Sequence, residues 1–512
     1  MFRANRLLPP IAGMLLLAAG CGGGGGGGVS TPQMATGRGQ LLKSPPTKIS
    51  SFSVSDLLSS LSGSTMGREL LAFGLSPACS LDTYHLEYET VGARGEATTA
   101  SAALFVATGS TPKCQGPQPI VLYAHGKRTL KSFNIADWTI QGNEEGLVLA
   151  IVAAARGYIV LAPNYAGYDT SDLTYHPYLN ADQQSKDMMD ALTAAHSALS
   201  TMNVADNHKL FVTGYSEGGH VAMATHRALQ AAGISVMASA PMSGPYAMSA
   251  FGDAVFMGQV NDGATKDFIM VASSYQHAYG NLYSAPTDIL EPKYASAIDS
   301  LSTMDVNALI AQGQLPSNAL FSSTPPAPEF AAMTPATMPA ELAPVFALGF
   351  GPDNLVTNAY RLSYLRDAQA APDGGFPTTT TGVPPAAPTN TVRQALKAND
   401  LRNWSPTAPM LLCAGRADPS VFYLNTRSMQ DFWTMNAPTG PVTVLDVDSP
   451  VSSGDPYAAV KNGFAAAKTA IAANAVAGGA TDGGAAAVLQ VYHTDLVATF
   501  CLLAVTSFFD NH

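Results

Sequence analysis

Hydrophobic positions in the middle of the chain form short runs that are separated by segments with helical spacing. Largely apolar runs occupy residues 119–124, 158–162, 209–213 and 236–240. Between the second and third runs, Met188, Leu192 and Leu199 have the spacing of one helix face. Buried strands that alternate with helices predict a mostly parallel sheet with helices on both faces.

This alternation stops after residue 244, and the next strand-like run is residues 410–414. The insert of residues 245–408 is rich in Met, Phe, Tyr and Pro. Helical spacing occurs within it near residues 288–312 and 354–370. Because strands of one sheet bracket the insert, we interpret it as a mainly helical cap over one end of the sheet, with an independent domain as the alternative. The sheet core then has two parts, residues 51–244 and 409–512.

The beginning of the chain has the layout of an export signal. Two arginines precede an apolar segment, residues 7–19, which is too short to be a stable membrane span. Residues 1–20 are therefore predicted to be a signal peptide. Small residues precede Cys21 as in the lipobox of bacterial lipoproteins, so Cys21 is the lipidation candidate and residues 21–50 a flexible tether. The protein would lie in the bacterial cell envelope, at the outer membrane, or be secreted if cleavage is ordinary.

Composition and charge narrow the class of protein. Of the 512 residues, 47% are hydrophobic and 12% are charged, as expected of a globular chain. Lys and Arg total 26 against 37 Asp and Glu, which gives a formal net charge of −11. A nucleic-acid partner is not expected, because binding phosphates requires clusters of basic residues that this sequence lacks. After the amino-terminal segment, no apolar run approaches the roughly 20 residues of a membrane span.

Cysteines are few, and four remain after export. They are Cys79, Cys114, Cys413 and Cys501. An even number in an oxidising compartment favours disulfides. Strand-like residues 84–90 and 100–106, joined by turn residues 92–95, predict a hairpin that brings the first two cysteines together. The last two lie in a strand and in the final apolar helix, where they could equally form a disulfide or remain buried thiols.

Residues 214–218 are Gly-Tyr-Ser-Glu-Gly, which matches the pattern G-x-S-x-G. The pattern alone says little in a chain rich in glycine and serine. Here, however, a buried strand ends at Thr213 and a helix with small residues follows the motif directly. This layout is typical of a nucleophile elbow, in which the serine is exposed on a tight turn at the end of a strand. Ser216 is therefore the candidate nucleophile.

A serine hydroxyl needs a base, and after such an elbow the acid and then the histidine follow the serine along the chain. Beyond the insert only His493 and His512 remain. His493 is the candidate base, because His512 lies at a fraying end. His220, one turn along the elbow helix, is expected to pack in the core, and His125 is expected to shape a loop.

The acid is expected directly after the strand of residues 410–414, and Asp418 occupies that position. Its role would be to hold the imidazole tautomer and to stabilise the imidazolium. Asp446 and Asp448 are competitors, but they belong to the following strand. The predicted triad is Ser216, His493 and Asp418. Its chemistry needs no metal ion and no organic cofactor.

The tetrahedral intermediate of such a reaction needs N–H donors for its oxyanion. The N–H of Glu217, at the start of the elbow helix, is one candidate. The other donor is expected from the loop after the first apolar run, from either Gly126 or Lys127, and a glycine there lets the backbone approach the substrate. The side chains of Lys127, Arg128 and Lys131 are interpreted as a solvated basic stretch, with a clamp for a charged substrate as the alternative.

Four stretches together resemble the α/β-hydrolase superfamily, and within it secretory lipases and related bacterial lipoprotein esterases. They are residues 123–126 (Tyr-Ala-His-Gly), 162–165 (Ala-Pro-Asn-Tyr), 214–220 (Gly-Tyr-Ser-Glu-Gly-Gly-His) and 243–246 (Ser-Gly-Pro-Tyr). The resemblance covers about residues 80–510. It implies an α/β-hydrolase fold, hydrolysis of carboxylic esters and a helical lid. Lys127 departs from it, because a small or hydroxyl residue is usual there.

The sequence thus predicts an exported lipase or esterase that acts on hydrophobic esters, since an apolar cap would line the pocket. A peptidase or amidase with the same triad is one alternative, although no site for a peptide terminus is evident. A catalytically inactive, surface-anchored binding protein is another. The ordered Ser216, Asp418 and His493 argue against this last alternative.

Overall fold

A computed structural model describes residues 37–63, 65–138, 143–301, 305–379 and 382–512. The predicted signal peptide and the lipidation candidate Cys21 lie outside these described residues, and both stay predictions. Most of the predicted tether lies outside them as well.

One nine-stranded sheet runs through the described part of the chain. Its strands are β1 (Thr47–Phe52), β2 (Ser80–Val91), β3 (Ala97–Thr108), β4 (Gln118–Ala124), β5 (Ile159–Pro163), β6 (Asp206–Tyr215), β7 (Ala238–Met242), β8 (Met410–Ala414) and β9 (Val442–Asp446). Their spatial order is β1-β2-β3-β5-β4-β6-β7-β8-β9. Pairing is antiparallel from β1 through β3 to β5 and parallel from β5 to β9. The predicted mostly parallel sheet is confirmed.

Helices cover both faces of this sheet. Before the insert they are α1 (Val54–Ser62), α2 (Thr65–Ala72), α3 (Pro112–Gln115), α4 (Glu144–Arg156), α5 (Ala181–Met202) and α6 (Glu217–Ala231). On β4, Val121 packs in the cluster that contains α4 residues, whereas Leu122 packs in the cluster of α5 and α6 on the other face. Neighbouring side chains of a strand point to opposite faces, so a continuous apolar run is required where both faces are covered.

The regular secondary structure of the insert between β7 and β8 is helical, and irregular segments join its helices within the described residues. Its helices are α7 (Met248–Phe256), α8 (Ala264–Tyr279), α9 (Ala297–Ser300), α10 (Val306–Ala311), α11 (Ala343–Leu348), α12 (Asn358–Ala370) and α13 (Thr391–Ala398). The helix expected near residues 288–312 is instead divided into short turns, because Pro286 and Pro292 each begin a new 3₁₀ turn. The helix expected near residues 354–370 is α12.

A buried arginine ties three helices of the insert together. Arg393 of α13 lies 2.8 Å from Asp253 of α7 and 2.7 Å from Asp367 of α12. All three side chains are nearly inaccessible to solvent. Removing one partner of such a buried ion pair costs about 3–5 kcal/mol, because the remaining charge is left uncompensated. This pairing fixes the relative positions of α7, α12 and α13.

The chain after the insert completes the sheet core. Its helices are α14 (Leu424–Met435), α15 (Ala458–Ala477), α16 (Ala485–Val491) and α17 (Ala498–Asp510), with a π-helical turn (Tyr492–Val497) between the last two. The prediction that no later run approaches the length of a membrane span is wrong by length and composition, because the stretch Ala485–Asp510 is long and apolar enough. However, 61% of its most apolar window is buried in the protein, as in a core helix. Residues of α17 such as Leu503 and Val505 belong to the core cluster that also contains Val121.

The end of the predicted tether requires a correction. Residues 47–52 form strand β1, which pairs with β2, and the N–H of Leu42 donates to the carbonyl of Glu87 at 2.8 Å. The main chain around residue 40 therefore follows the edge of the sheet instead of forming a free linker. The polar composition of this segment concealed the pairing, because edge strands need little apolar surface.

Two disulfides connect distant parts of the core. Cys79 and Cys114 form one, as the hairpin predicts, and Cys413 and Cys501 form the other. The second disulfide joins β8 to α17 and resolves the alternative that the sequence leaves open.

Candidate active site

The turn between β6 and α6 holds Ser216 in a strained backbone conformation. β6 ends at Tyr215, α6 begins at Glu217, and Ser216 between them has φ 60° and ψ −121°. A non-glycine residue with positive φ costs about 1–3 kcal/mol and persists only where its surroundings enforce it. Here the Ser216 N–H donates to the carbonyl of Met242 on the adjacent strand at 3.0 Å.

Glycines allow this turn to pack against its neighbours. A Cβ on Gly218 would lie 1.9 Å from the carbonyl oxygen of Ala124, and one on Gly214 would lie 2.3 Å from the carbonyl oxygen of Gly218. Both distances are far below van der Waals contact. The G-x-S-x-G pattern therefore has a steric cause at both glycines, and it presents Ser216 at the carboxyl end of a central strand.

The structure brings Ser216, His493 and Asp418 together. His493 Nε2 lies 2.9 Å from Ser216 Oγ, and His493 Nδ1 lies 2.7 Å from Asp418 Oδ2. An Nδ1–H that donates to the carboxylate leaves the Nε2 lone pair facing the serine hydroxyl. This arrangement can remove the hydroxyl proton and retain it on the ring.

Asp418 is fully buried and accepts hydrogen bonds on both oxygens. Oδ1 accepts from the N–H groups of Ser420 and Val421, each at 2.9 Å, and Oδ2 accepts from Ser243 Oγ at 2.8 Å and from His493. Each of these contacts fixes the carboxylate relative to the imidazole. Ser243, which follows β7, is a supporting residue. The sequence resemblance includes it in the stretch 243–246 but gives it no role.

The competing acids have partners elsewhere. Asp446 lies 2.7 Å from Arg416, and Asp448 lies 2.8 Å from Lys468 and accepts from the Tyr492 hydroxyl. Neither contacts His493. Asp448 instead supports the loop that carries Asp418, since the Tyr492 hydroxyl that donates to it also accepts from the N–H of Ala417 at 3.2 Å.

The other histidines considered are engaged in structure. His220 is buried, and its Nε2 contacts the carbonyl oxygen of Asn399 at 3.0 Å. Burial lowers the pKa of His220 to about 4. His125 is also buried, contacts the carbonyls of Gly126 and Asn164, and stacks on Tyr165. His512 contacts the carbonyl of Phe508.

A tyrosine next to the nucleophile fixes the base. The Tyr215 hydroxyl donates to the carbonyl oxygen of His493 and lies 3.3 Å from its Nδ1. Burial raises the pKa of Tyr215 well above the usual value, so the hydroxyl keeps its proton and remains a donor. Because Tyr215 ends β6, the strand that presents Ser216 also positions His493. The motif alone gives no sign of this contact.

The oxyanion donors are only partly as expected. The N–H of Gly126 donates to Glu145 Oε1 at 3.1 Å, so Gly126 is not available as a donor, and this prediction is corrected. The remaining candidates are the N–H groups of Lys127 and Glu217. Glu217 is the first residue of α6, where main-chain N–H groups have no helical partner. A Cβ on Gly126 would lie 3.7 Å from Ser216 Cβ, so the loop runs beside the nucleophile.

Two tyrosine hydroxyls donate hydrogen bonds to main-chain carbonyls of this loop. Tyr165 donates to the carbonyl of His125 at 2.9 Å, and Tyr168 donates to the carbonyl of Arg128. These carbonyls flank Gly126 and Lys127 on both sides. The loop is thereby held by hydrogen bonds at each end, which limits how far the Lys127 N–H can move.

The interpretation of the basic stretch as solvated is only partly right, because Lys131 is exposed whereas Lys127 and Arg128 are not. Arg128 lies 2.6 Å from Glu145, and Lys131 donates to the carbonyls of Gly167, Ser171 and Leu173. The side chains of Lys127 and Arg128 are about one quarter exposed, whereas Lys131 is exposed as a residue but still anchors the loop through its ammonium group. Their partners come from segments 17 or more positions further along the chain, so the basic residues alone could not indicate them.

A large cavity opens at the triad. Its volume is about 1300 Å³, and Ser216, His493 and Tyr215 contribute to its wall. Apolar side chains of the insert line much of it, including Met248, Phe251, Val255, Phe256, Phe268 and Leu396. Cavities with apolar walls and a few converging polar groups are typical of small-molecule sites. Within the described residues, no cluster of His, Cys, Asp and Glu is arranged to hold a metal ion.

A serine on an elbow at the end of a central parallel strand, hydrogen-bonded to a histidine after the last strand, defines the α/β-hydrolase class. The comparisons with known proteins agree with this fold. The sequence profile of the Prolyl oligopeptidase family matches residues 148–320, which is less than half of the chain and includes the elbow. None of the curated proteins compared matches the chain.

Two proteins of known structure illustrate the similarity. A point mutant of LipA, a rice cell wall degrading esterase from Xanthomonas oryzae, aligns with a TM-score of 0.66 and 22% identity over 93% of this chain and 99% of LipA. A protein from Legionella pneumophila aligns with a TM-score of 0.57 and 20% identity over 79% of this chain and 92% of its own. At such identities the similarity shows the fold alone, and the chain is an α/β-hydrolase by fold.

Proposed function

We propose that the protein is an exported serine hydrolase that cleaves carboxylic esters with hydrophobic acyl or alcohol groups. The observation that carries the proposal is the hydrogen-bonded chain from Ser216 through His493 to Asp418 at an apolar cavity. The two disulfides and the similarity to LipA support export. Lipidation at Cys21 would add an envelope anchor.

The proposed reaction has two halves. Ser216 Oγ attacks the ester carbonyl carbon while His493 Nε2 takes the hydroxyl proton, and the N–H groups of Lys127 and Glu217 stabilise the oxyanion. The C–O bond to the leaving group then breaks, and His493 gives its proton to the alkoxide, which leaves as the alcohol. Water attacks the acyl-enzyme in the same way, its proton passes through His493 to Ser216 Oγ, and the carboxylic acid leaves.

Replacing Ser216 with Ala tests the proposal. The Ser216→Ala variant should lose at least about a thousandfold in kcat on short-chain nitrophenyl esters, because no acyl-enzyme can form. A chain-length series of esters with the wild-type protein then measures how deep a chain the cavity accepts. Full hydrolysis by Ser216→Ala would contradict the assignment of the nucleophile.

A peptidase is the second candidate, and the match to the Prolyl oligopeptidase family over residues 148–320 favours it. An anilide and an ester with the same acyl group distinguish the two, since the amide needs protonation of a poorer leaving group. Comparable kcat/KM on both substrates would favour the peptidase. A fluorophosphonate probe that fails to label Ser216 would instead favour an inactive binding protein.

A further inference from the structure

Lys127, the residue that departs from the family pattern, forms an ion pair across the cavity wall. Its Nζ lies 2.5 Å from Asp267 Oδ1, and both side chains are about one quarter exposed. Asp267 belongs to the first turn of α8, so the pair connects the loop beside Ser216 with the insert. Because Asp267 neutralises the Lys127 charge, this lysine is not free to bind an anionic substrate.

Asp267 is itself held in place. Its Oδ1 accepts from the Tyr178 hydroxyl at 3.2 Å, and its Oδ2 accepts from Asn261 Nδ2 at 3.0 Å. Tyr178 lies on the segment before α5, whereas Asn261 lies just before α8. The carboxylate therefore has a fixed position, and it can fix the lysine that it pairs with.

A second contact joins the same loop to the insert. Asn307 Nδ2, on α10, donates to Thr129 Oγ1 at 3.0 Å, and Lys266 Nζ donates to Asn307 Oδ1 at 2.7 Å. Lys266 is adjacent to Asp267 on α8. The insert thus binds the loop at Lys127 and Thr129. The hydroxyls of Tyr165 and Tyr168 bind the same loop at the carbonyls of His125 and Arg128.

We propose that Asp267 is a positioning residue that acts through Lys127 to set the oxyanion donor, so that the insert controls the transition-state stabilisation of the core. The proposal rests on the proposed function, in which the Lys127 N–H contacts the oxyanion. A donor fixed before reaction stabilises only the developing charge, so its loss lowers kcat more than it changes KM.

The test uses the full-length protein with Asp267→Asn, which keeps the size of the side chain and removes its charge. We expect kcat on a short-chain nitrophenyl ester to fall about tenfold, with KM nearly unchanged. This loss is smaller than the roughly 10²–10³-fold loss in kcat that follows when an oxyanion donor is removed outright. Lys127→Met should have a similar effect. The double variant should be no worse than the more impaired single variant, because both substitutions break the same pair.

Asp182→Asn is the matched control. Asp182 also lies in the first turn of a helix and pairs with a lysine, Lys186 at 2.6 Å, but it is exposed and does not line the cavity. The Asp182→Asn variant should therefore have the kcat of the wild-type protein. Thermal unfolding of each variant shows whether a lower kcat results from a loss of folding or from a loss of positioning. The Asp267→Glu variant keeps the charge and should therefore retain a higher kcat than Asp267→Asn.

Three results would overturn the inference. They are an unchanged kcat in folded Asp267→Asn, a loss confined to KM, and independent, multiplicative effects of the two substitutions. The rate at which a fluorophosphonate labels Ser216 in each variant tests the inference without a substrate, because phosphonylation uses the same oxyanion donors. If the wild-type protein is labelled but hydrolyses no ester, only the ester assignment fails. If it is not labelled and hydrolyses nothing, the proposed function and this inference both fail.

Discussion

Asp418 is surrounded by hydrogen-bond donors alone. It accepts from the hydroxyl of Ser243, the ring of His493 and the two N–H groups of Ser420 and Val421. A carboxylate has acceptor sites for all four, whereas an amide has two donors of its own. The site therefore selects a carboxylate by its hydrogen bonding as well as by its contact with the base.

Asp418→Asn should accordingly lower kcat by about 10⁴ in a folded protein, because an amide in this position faces donors and favours the wrong imidazole tautomer. Steady-state kinetics on a nitrophenyl ester measure this. Asp446→Asn is the control, since Asp446 pairs with the half-exposed Arg416 and does not contact His493. Near-normal activity of Asp418→Asn together with a large loss in Asp446→Asn would move the acid to Asp446.

The sequence predicts those site residues whose position along the chain is dictated by the fold. Ser216 follows a strand in a fixed motif, and the order of acid and base after it limits the choice to Asp418 and His493. It could not identify contacts that depend on packing. Glu145 reaches Gly126 from 19 positions away, and Asp267 reaches Lys127 from 140 positions away. Neither separation has a periodic or local signature.

At the scale of elements, α6 packs so closely on β4 that Gly218 leaves no room for a side chain. A Cβ there would also lie 2.6 Å from the carbonyl oxygen of His125, at the start of the oxyanion loop. These neighbours are main-chain atoms, which cannot rotate away as a side chain can. The glycine thus couples the position of the elbow helix to that of the loop that faces Ser216.

Gly218→Ala should lower the free energy of unfolding by about 1–3 kcal/mol, and by more if β4 cannot shift, because the added methyl group overlaps the main chain. Any shift of β4 moves the loop, so kcat should fall in the folded fraction. Urea unfolding and kinetics measure the two effects. Gly116→Ala is the control, since its Cβ would meet Pro112 O at an ordinary 3.4 Å. Equal stabilities of the two variants would contradict the steric argument.

The pattern of apolar residues indicated the parallel strands well, because a strand buried on both faces must be apolar throughout. It did not indicate the helical geometry around His493. Residues 485–510 form one continuous helical stretch in which the turn Tyr492–Val497 is π-helical. A π turn inserts a residue and changes the direction of the side chains beyond it, which hydrophobic periodicity does not reveal. Here that turn carries the base.

For the whole molecule, the acid and the base are carried by elements that one disulfide joins. β8 leads directly into the loop of Asp418, and α17 follows directly from the turn that carries His493. Cys413 of β8 is bonded to Cys501 of α17, and both are fully buried. The geometry of the triad itself rests on hydrogen bonds, so the covalent link should contribute to global stability more than to the chemical step.

Replacing both Cys413 and Cys501 with Ala should lower the free energy of unfolding by about 4–5 kcal/mol, because the disulfide closes a loop across 88 positions and restricts the unfolded chain. Below the unfolding midpoint, kcat should stay within about twofold of the wild-type value, since the hydrogen bonds of the triad do not pass through the disulfide. The matched variant replaces Cys79 and Cys114, which are only 35 positions apart. Its loss should be about 1 kcal/mol smaller by loop entropy. Urea denaturation of the two variants measures the difference, and a larger loss in the hairpin variant would show that native packing, not chain entropy, determines what each disulfide contributes.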